Sequence, residues 1–81
     1  MADASRVKAY ILVQTAVNAA QVAKEIEQLD GVESAEDVSG PYDVIVRASA
    51  SDMNTLGKLV VSRIQSVEGI TRTLTCPIVT L

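Results

Sequence analysis

The first regular pattern in the chain is "VKAYILVQT", Val7 to Thr15, where apolar residues occupy both alternating sets: Val7, Ala9, Ile11 and Val13 on one, Tyr10 and Leu12 on the other. Successive side chains of a strand point to opposite faces, so this pattern predicts a central strand covered on both sides. The period then lengthens. Ala19, Val22, Ala23, Ile26 and Leu29 recur at helical spacing opposite Lys24, Glu25 and Gln28, which predicts an amphipathic helix. Asn18, with Gln21 three residues on, reads as a capping pair at its start, and Gly31 as its stop through the left-handed conformation.

A more polar strand, "VESAEDVS", follows, and after a Gly-Pro turn comes "YDVIVRA", in which Tyr42, Val44 and Val46 alternate with Asp43, Ile45 and Arg47. The two segments are expected to pair as a hairpin. "SASD" opens the next helix with Ser49 or Ser51 as the cap, and Met53, Leu56, Leu59, Val60, Ile64 and Val67 form its apolar stripe. Gly69 ends that helix, and "ITRTLTC" runs as the last strand until Pro77 removes a backbone donor.

The element order is therefore βαββαβ. "LDGVESA" at 29–35 and "VEGITRT" at 67–73 carry an acid, a glycine and a β-branched residue in register, so the chain reads as two βαβ units. The expected fold class is α+β, ferredoxin-like, with a four-stranded antiparallel sheet and both helices on one face. The other face of such a sheet stands open in a single copy, although its first strand is apolar there too. A second copy laid sheet on sheet would cover it, giving a homodimeric α+β barrel.

Length sharpens this expectation. The chain has 81 residues, enough for one domain over 1–81, with residues 1–6 as a flexible N-terminal tail. A domain of this size buries only about 60% of the surface its unfolded chain exposes, so association adds stability that a single copy lacks. Apolar residues make up 48% of the chain but aromatics only 2%, so the core must come from Val, Ile, Leu and Ala. The net charge is −3, and the seven basic residues form no run, which argues against direct nucleic-acid contact. "MADASR" lacks the pattern of a secretory signal, the one cysteine cannot pair within the chain, and no apolar run reaches membrane-spanning length. A cytoplasmic protein without membrane contact is expected.

Candidate chemistry is sparse. Histidine is absent and Cys76 stands alone, so neither the common zinc and copper ligand sets nor a Ser-His or Cys-His nucleophile can be assembled, and no metal or cofactor is expected. Asp30, Glu33, Glu36 and Asp37 cluster about the second strand and read as a solvated edge with no complementary base nearby. "GKLV" in the second helix lacks the upstream glycine of a phosphate loop. Thr71, Thr73 and Thr75 alternate with Arg72, Leu74 and Cys76, as on a half-wet strand. The remaining stretch is "SGPYDVIVR", in which turn chemistry coincides with a tyrosine and an aspartate placed where a pocket rim would lie.

That hairpin, the βαββαβ order and the ending "VEGITRTLT" together resemble the effector-binding (RAM) domain of the Lrp/AsnC transcriptional regulators. Ser39, Gly40, Pro41, Tyr42 and Asp43 follow the family's hairpin pattern in order, and Gly69, Ile70, Thr71, Arg72 and Thr73 are similar to its closing one. The resemblance implies a non-enzymatic module, in a form without the family's DNA-binding helix-turn-helix. It further implies dimers that assemble into tetramers, octamers or rings, hetero-assembly with a full-length regulator, and a small effector, usually an amino acid, bound near the hairpin between dimers. By position Ser39, Gly40, Tyr42 and Asp43 would line that pocket. Pro41 departs from the usual polar residue, stiffening the turn and removing one amide donor. Two alternatives share the fold: a purely structural assembly protein, and a small dimeric α+β barrel enzyme, whose usual His, Trp or Phe residues are absent here. An ACT-like regulatory domain shares the strand order, but the hairpin favours the Lrp/AsnC reading.

Overall fold

The computed structural model describes residues 6–79. Residues 1–5 of the expected tail and the side chain of Leu59 lie outside the described set. The strands are β1 (Val7–Thr15), β2 (Val32–Asp37), β3 (Val44–Ala50) and β4 (Ile70–Pro77), with helix α1 (Ala19–Glu27) between the first pair and a composite helix α2 (residues 53–65) between the last. The four strands form one antiparallel sheet in the order β2-β3-β1-β4, so the predicted architecture holds, with β1 central as its composition requires.

One face of the sheet is the core. Ala9, Ile11 and Val13 from β1, Ala35 from β2 and Val44, Val46 and Ala48 from β3 are buried against Val22, Ala23 and Ile26 of α1 and Leu56, Val60 and Ile64 of α2. Both helices thus pack on the same side. The alternate residues lie on the open face, where the pairings Leu12↔Leu74 and Leu12↔Ile45 draw an apolar row across three strands. Leu74 is 45% exposed and Ile45 36%. β1 is therefore covered on one face only within a single copy.

Several local expectations are refined. Asn18 caps α1 by accepting from the amides of Ala20 and Gln21, but the Gln21 side chain donates forward to Glu25 and leaves the reciprocal capping bond unmade. Helix α1 is already closed by Gln28, and Gly31, at φ +92°, instead turns the chain into β2. Neither Ser49 nor Ser51 caps α2. Ser49 belongs to β3, where its amide donates to the Gly31 carbonyl at 2.8 Å, and Asp52 caps the helix through the Thr55 amide at 2.7 Å. Within α2, Leu56–Val61 is π-helical between α-helical Met53–Thr55 and Ser62–Gln65. Met53, expected in the apolar stripe, is 49% exposed.

The internal repeat is physical. Gly31 and Gly69 both follow a helix, open an edge strand at positive φ, and offer a carbonyl to the end of a central strand, Gly31 to Ser49 and Gly69 to the Ala16 amide.

Candidate functional site

The hairpin between β2 and β3 is tied to the C-terminal end of β1. The Val38 amide donates to the Asp43 carbonyl at 2.8 Å, and the Asp43 amide donates to the Val13 carbonyl at 2.9 Å. The Thr15 amide donates to Asp43 Oδ2 at 2.9 Å, and Gln14 Nε2 donates to the Pro41 carbonyl at 3.0 Å. These bonds coincide with the register shift between Gln14 and Thr15 in the β1–β4 ladder. The β1–β3 pairing ends at Val13↔Val44, and the carboxylate supplies the Thr15 amide beyond it with a partner, avoiding a cost of about 1–3 kcal/mol if that amide were buried and unmet.

The expected site residues come together, but not as strand residues. Tyr42 and Asp43 precede β3, which starts at Val44; both are half-buried, while Ser39, Gly40 and Pro41 are exposed. Gly40 has φ +155° and open space where a Cβ would stand. One oxygen of Asp43 is committed to Thr15; Oδ1 accepts no hydrogen bond among the described residues. The turn is thus a clamped ledge at the end of the sheet, with one carboxylate oxygen left to face solvent or a ligand. Gln14 and Thr15 are part of it, and sequence reading missed both because the contacts span 27 and 28 residues. Arg72 lies opposite Gln14 in the β1–β4 register, so a cation sits on the same end of the sheet.

The open face carries a polar cluster beside its apolar row. Arg47 Nε donates to Glu33 Oε1 at 3.1 Å, Lys8 Nζ lies 3.7 Å from Glu33 Oε2, and Arg47 Nη1 donates to the Tyr10 hydroxyl at 3.2 Å. The guanidinium carbon sits 5.6 Å from the Tyr10 ring centroid, within cation–π range. The edge-strand acids are therefore not all unpartnered, as expected from sequence: Glu33 has two cations. Partial desolvation pushes the Glu33 carboxyl up, but Ser49, Lys8 and Arg47 together outweigh it and hold it below its ordinary value of 4.5. Asp52, held mainly by the Thr55 amide, is likewise lowered from 3.8.

A lowered folded pKa means a contribution fully present above the unfolded value and lost as pH falls through the folded one. For Glu33 that loss falls below about 4.5. With the side chain 37% exposed the contribution is screened and amounts to no more than about 1 kcal/mol. In Arg47→Gln, an NMR titration of the Glu33 carboxyl is expected to show its midpoint rising. An unmoved midpoint would show that Arg47 does not set it.

On the last strand the hydroxyl set faces the helices. Thr73 and Thr75 are half-buried, and Gln65 Nε2 donates to Thr73 Oγ1 at 2.9 Å, whereas Arg72, Leu74 and Cys76 are exposed. No cluster of three or more His, Cys, Asp or Glu side chains suited to a metal occurs among the described residues, and none of their helices is long and apolar enough to cross a membrane.

Fold and turn together define a ferredoxin-like α+β domain that presents a clamped, charged hairpin at one end and an open, partly apolar sheet face. The family model of the Lrp/AsnC ligand binding domain matches residues 8–80, and the chain belongs to that family. It is similar to an uncharacterised HTH-type transcriptional regulator of Pyrococcus furiosus, with 27% identity over 55 residues, 68% of this chain and 37% of that protein. The chain thus spans little more than a third of that regulator's length. A homocitrate synthase of Sulfurisphaera tokodaii is 33% identical over 54 residues, 67% of this chain but 12% of the enzyme. So small a share fits a common domain and not the enzyme's reaction. Among solved structures, TTHA0845 of Thermus thermophilus superposes with a TM-score of 0.83 at 28% identity, covering 93% of this chain and 95% of that one. The regulator NMB0573 of Neisseria meningitidis, in complex with L-Met, has the same fold, with a TM-score of 0.77 at 22% identity over 91% of this chain and 50% of that one.

Proposed function

We propose that this domain binds a small effector, an amino acid, at the Ser39–Asp43 hairpin, and that it works in transcription regulation as an oligomer, including hetero-assembly with a full-length Lrp/AsnC regulator. The observation that carries the reading is the family match over residues 8–80, within which the hairpin keeps Gly40 at positive φ and one Asp43 oxygen without a partner among the described residues. That oxygen suits an ammonium, the backbone at Gly40 lets a ligand approach closely, and Arg72 supplies a guanidinium for a carboxylate. The Neisseria regulator, bound to L-Met, supports the ligand class.

Thermal unfolding against a panel of amino acids tests this. A ligand at 100 times its Kd stabilises the native state by about 2.7 kcal/mol. The informative variant is Asp43→Asn, which keeps an acceptor for the Thr15 amide while removing the charge; truncation to alanine would also break the clamp. We expect one or a few amino acids to raise the midpoint of the wild type, and Asp43→Asn to abolish that rise with little change in the ligand-free midpoint. A panel without any response removes the effector reading and leaves a structural assembly role.

Assembly rests on the open face. Two copies joined through the Leu74–Leu12–Ile45 row would bury an apolar surface that no helix covers. In sedimentation experiments the wild type is expected to run as a dimer or larger, and Leu12→Asp as a folded monomer, because position 12 lies outside the helix-facing core. A Leu12→Asp protein that keeps the wild-type sedimentation coefficient would rule this face out as the interface.

A further inference from the structure

At the opposite end of the sheet from the hairpin lies a cleft of about 320 Å³. Arg6, immediately before β1, and Arg63 of α2 are among its lining residues; Ser51 and Thr55 contribute polar groups, and Ala50 and Val60 an apolar lining. Residues 39–43 do not take part in it. We infer that this cleft is a second binding site, specific for a small organic carboxylate with a short aliphatic body.

Charge is the first argument. The chain carries ten acids against seven bases, yet this cleft gathers two arginines and a single acid, Asp30. The acid offsets them only in part, through one long, solvent-screened ion pair to Arg63. Arg63 Nη1 and Asp30 Oδ2 are 3.9 Å apart, too far for a hydrogen bond, and the Asp30 side chain is 98% exposed. Asp52, the other nearby carboxylate, is committed to the Thr55 amide and does not line the cleft. Guanidinium donors are therefore available to an oxyanion, for which their planar fork is the best-suited side-chain geometry.

Shape is the second argument. The volume falls at the lower end of the range of small-molecule sites, about 300–1,000 Å³, and the lining combines the apolar Ala50 and Val60 with a larger set of polar groups. The wall that supplies Val60 is the π-helical run Leu56–Val61, and π-helical turns are rare and concentrate at functional sites. Ala50 and Val60 give a carbon chain something to lie on, which inorganic phosphate would not use. An organic carboxylate satisfies both halves of the cleft.

The test is an NMR titration of the ¹⁵N-labelled protein with butyrate, with butylamine as the chain of opposite charge and with inorganic phosphate. Butyrate is expected to shift the amide signals of Gly31, Ser51 and Thr55, and Arg63→Gln and Arg6→Gln each to weaken that binding about tenfold, the loss of one charge-assisted contact. Both arginines are surface residues, so these variants keep the fold. Asp43→Asn is expected to leave the butyrate shifts intact, which separates this site from the hairpin whichever way the amino-acid panel turns out. Absence of butyrate shifts, equal shifts from butylamine, phosphate binding in place of butyrate, or shifts indifferent to both arginine substitutions would each overturn the proposal.

Discussion

Replacing Ile11 by alanine is expected to destabilise the domain by about 2–5 kcal/mol, the range for truncating a large aliphatic side chain in a packed core. Ile11 is fully buried at the middle of the central strand, flanked across the ladders by Val46 and Thr75 and roofed by both helices. With only two tyrosines and no other aromatic residue, the core has no large ring to relax into the gap. Native domains are stable by only about 5–15 kcal/mol, so this one substitution removes a large part of the total. Urea denaturation measures it directly. A loss below about 1 kcal/mol would mean that the sheet and helices do not close over position 11 as described.

Gly31→Ala is expected to cost about 2–4 kcal/mol, through two separable causes. A Cβ at this position would stand 2.6 Å from Val60 Cγ2 and 3.3 Å from the Ser49 carbonyl, and the backbone is at φ +92°, where side chains other than hydrogen are strained. The double variant Gly31→Ala/Val60→Ala separates them. It removes the methyl that clashes, so the coupling between the two sites should be favourable, recovering part of the cost and leaving the backbone share. Strict additivity in denaturation experiments would leave φ as the whole cause and show that α2 yields freely. Gly40, also at positive φ but with nothing near its absent Cβ, would show only the backbone cost.

The strands and their order were legible because the periods are clear: Val7–Thr15 alternates on two apolar sets, and the stretches around Val22–Ile26 and Leu56–Ile64 repeat every three or four residues. What sequence missed lies either in competing local choices or at long range. Ser49, Ser51 and Asp52 are all competent caps, and only the extension of β3 through Ala50, fixed by the Ser49–Gly31 bond, leaves the role to Asp52. The π-helical run was invisible because burial at Leu56, Val60 and Ile64, four residues apart, suits a π-helix as well as an α-helix. Turn chemistry alone drew attention to the hairpin, and it could not announce the structural duty of its aspartate toward Thr15. Glu33 was read as a bare edge charge because its partners, Lys8 and Arg47, come from two other strands.

The sheet order also has a consequence for how the molecule comes into being. β1 is the first strand to be synthesised, yet one of its two neighbours is the last, with Ala9 opposite Pro77. Until β4 has been made, a strand apolar on both sides has one edge without its native partner, and its interactions span nearly the whole chain. Such long-range pairing slows folding and leaves adhesive edges exposed while it lasts. β1 therefore keeps one adhesive edge until β4 is available to pair with it.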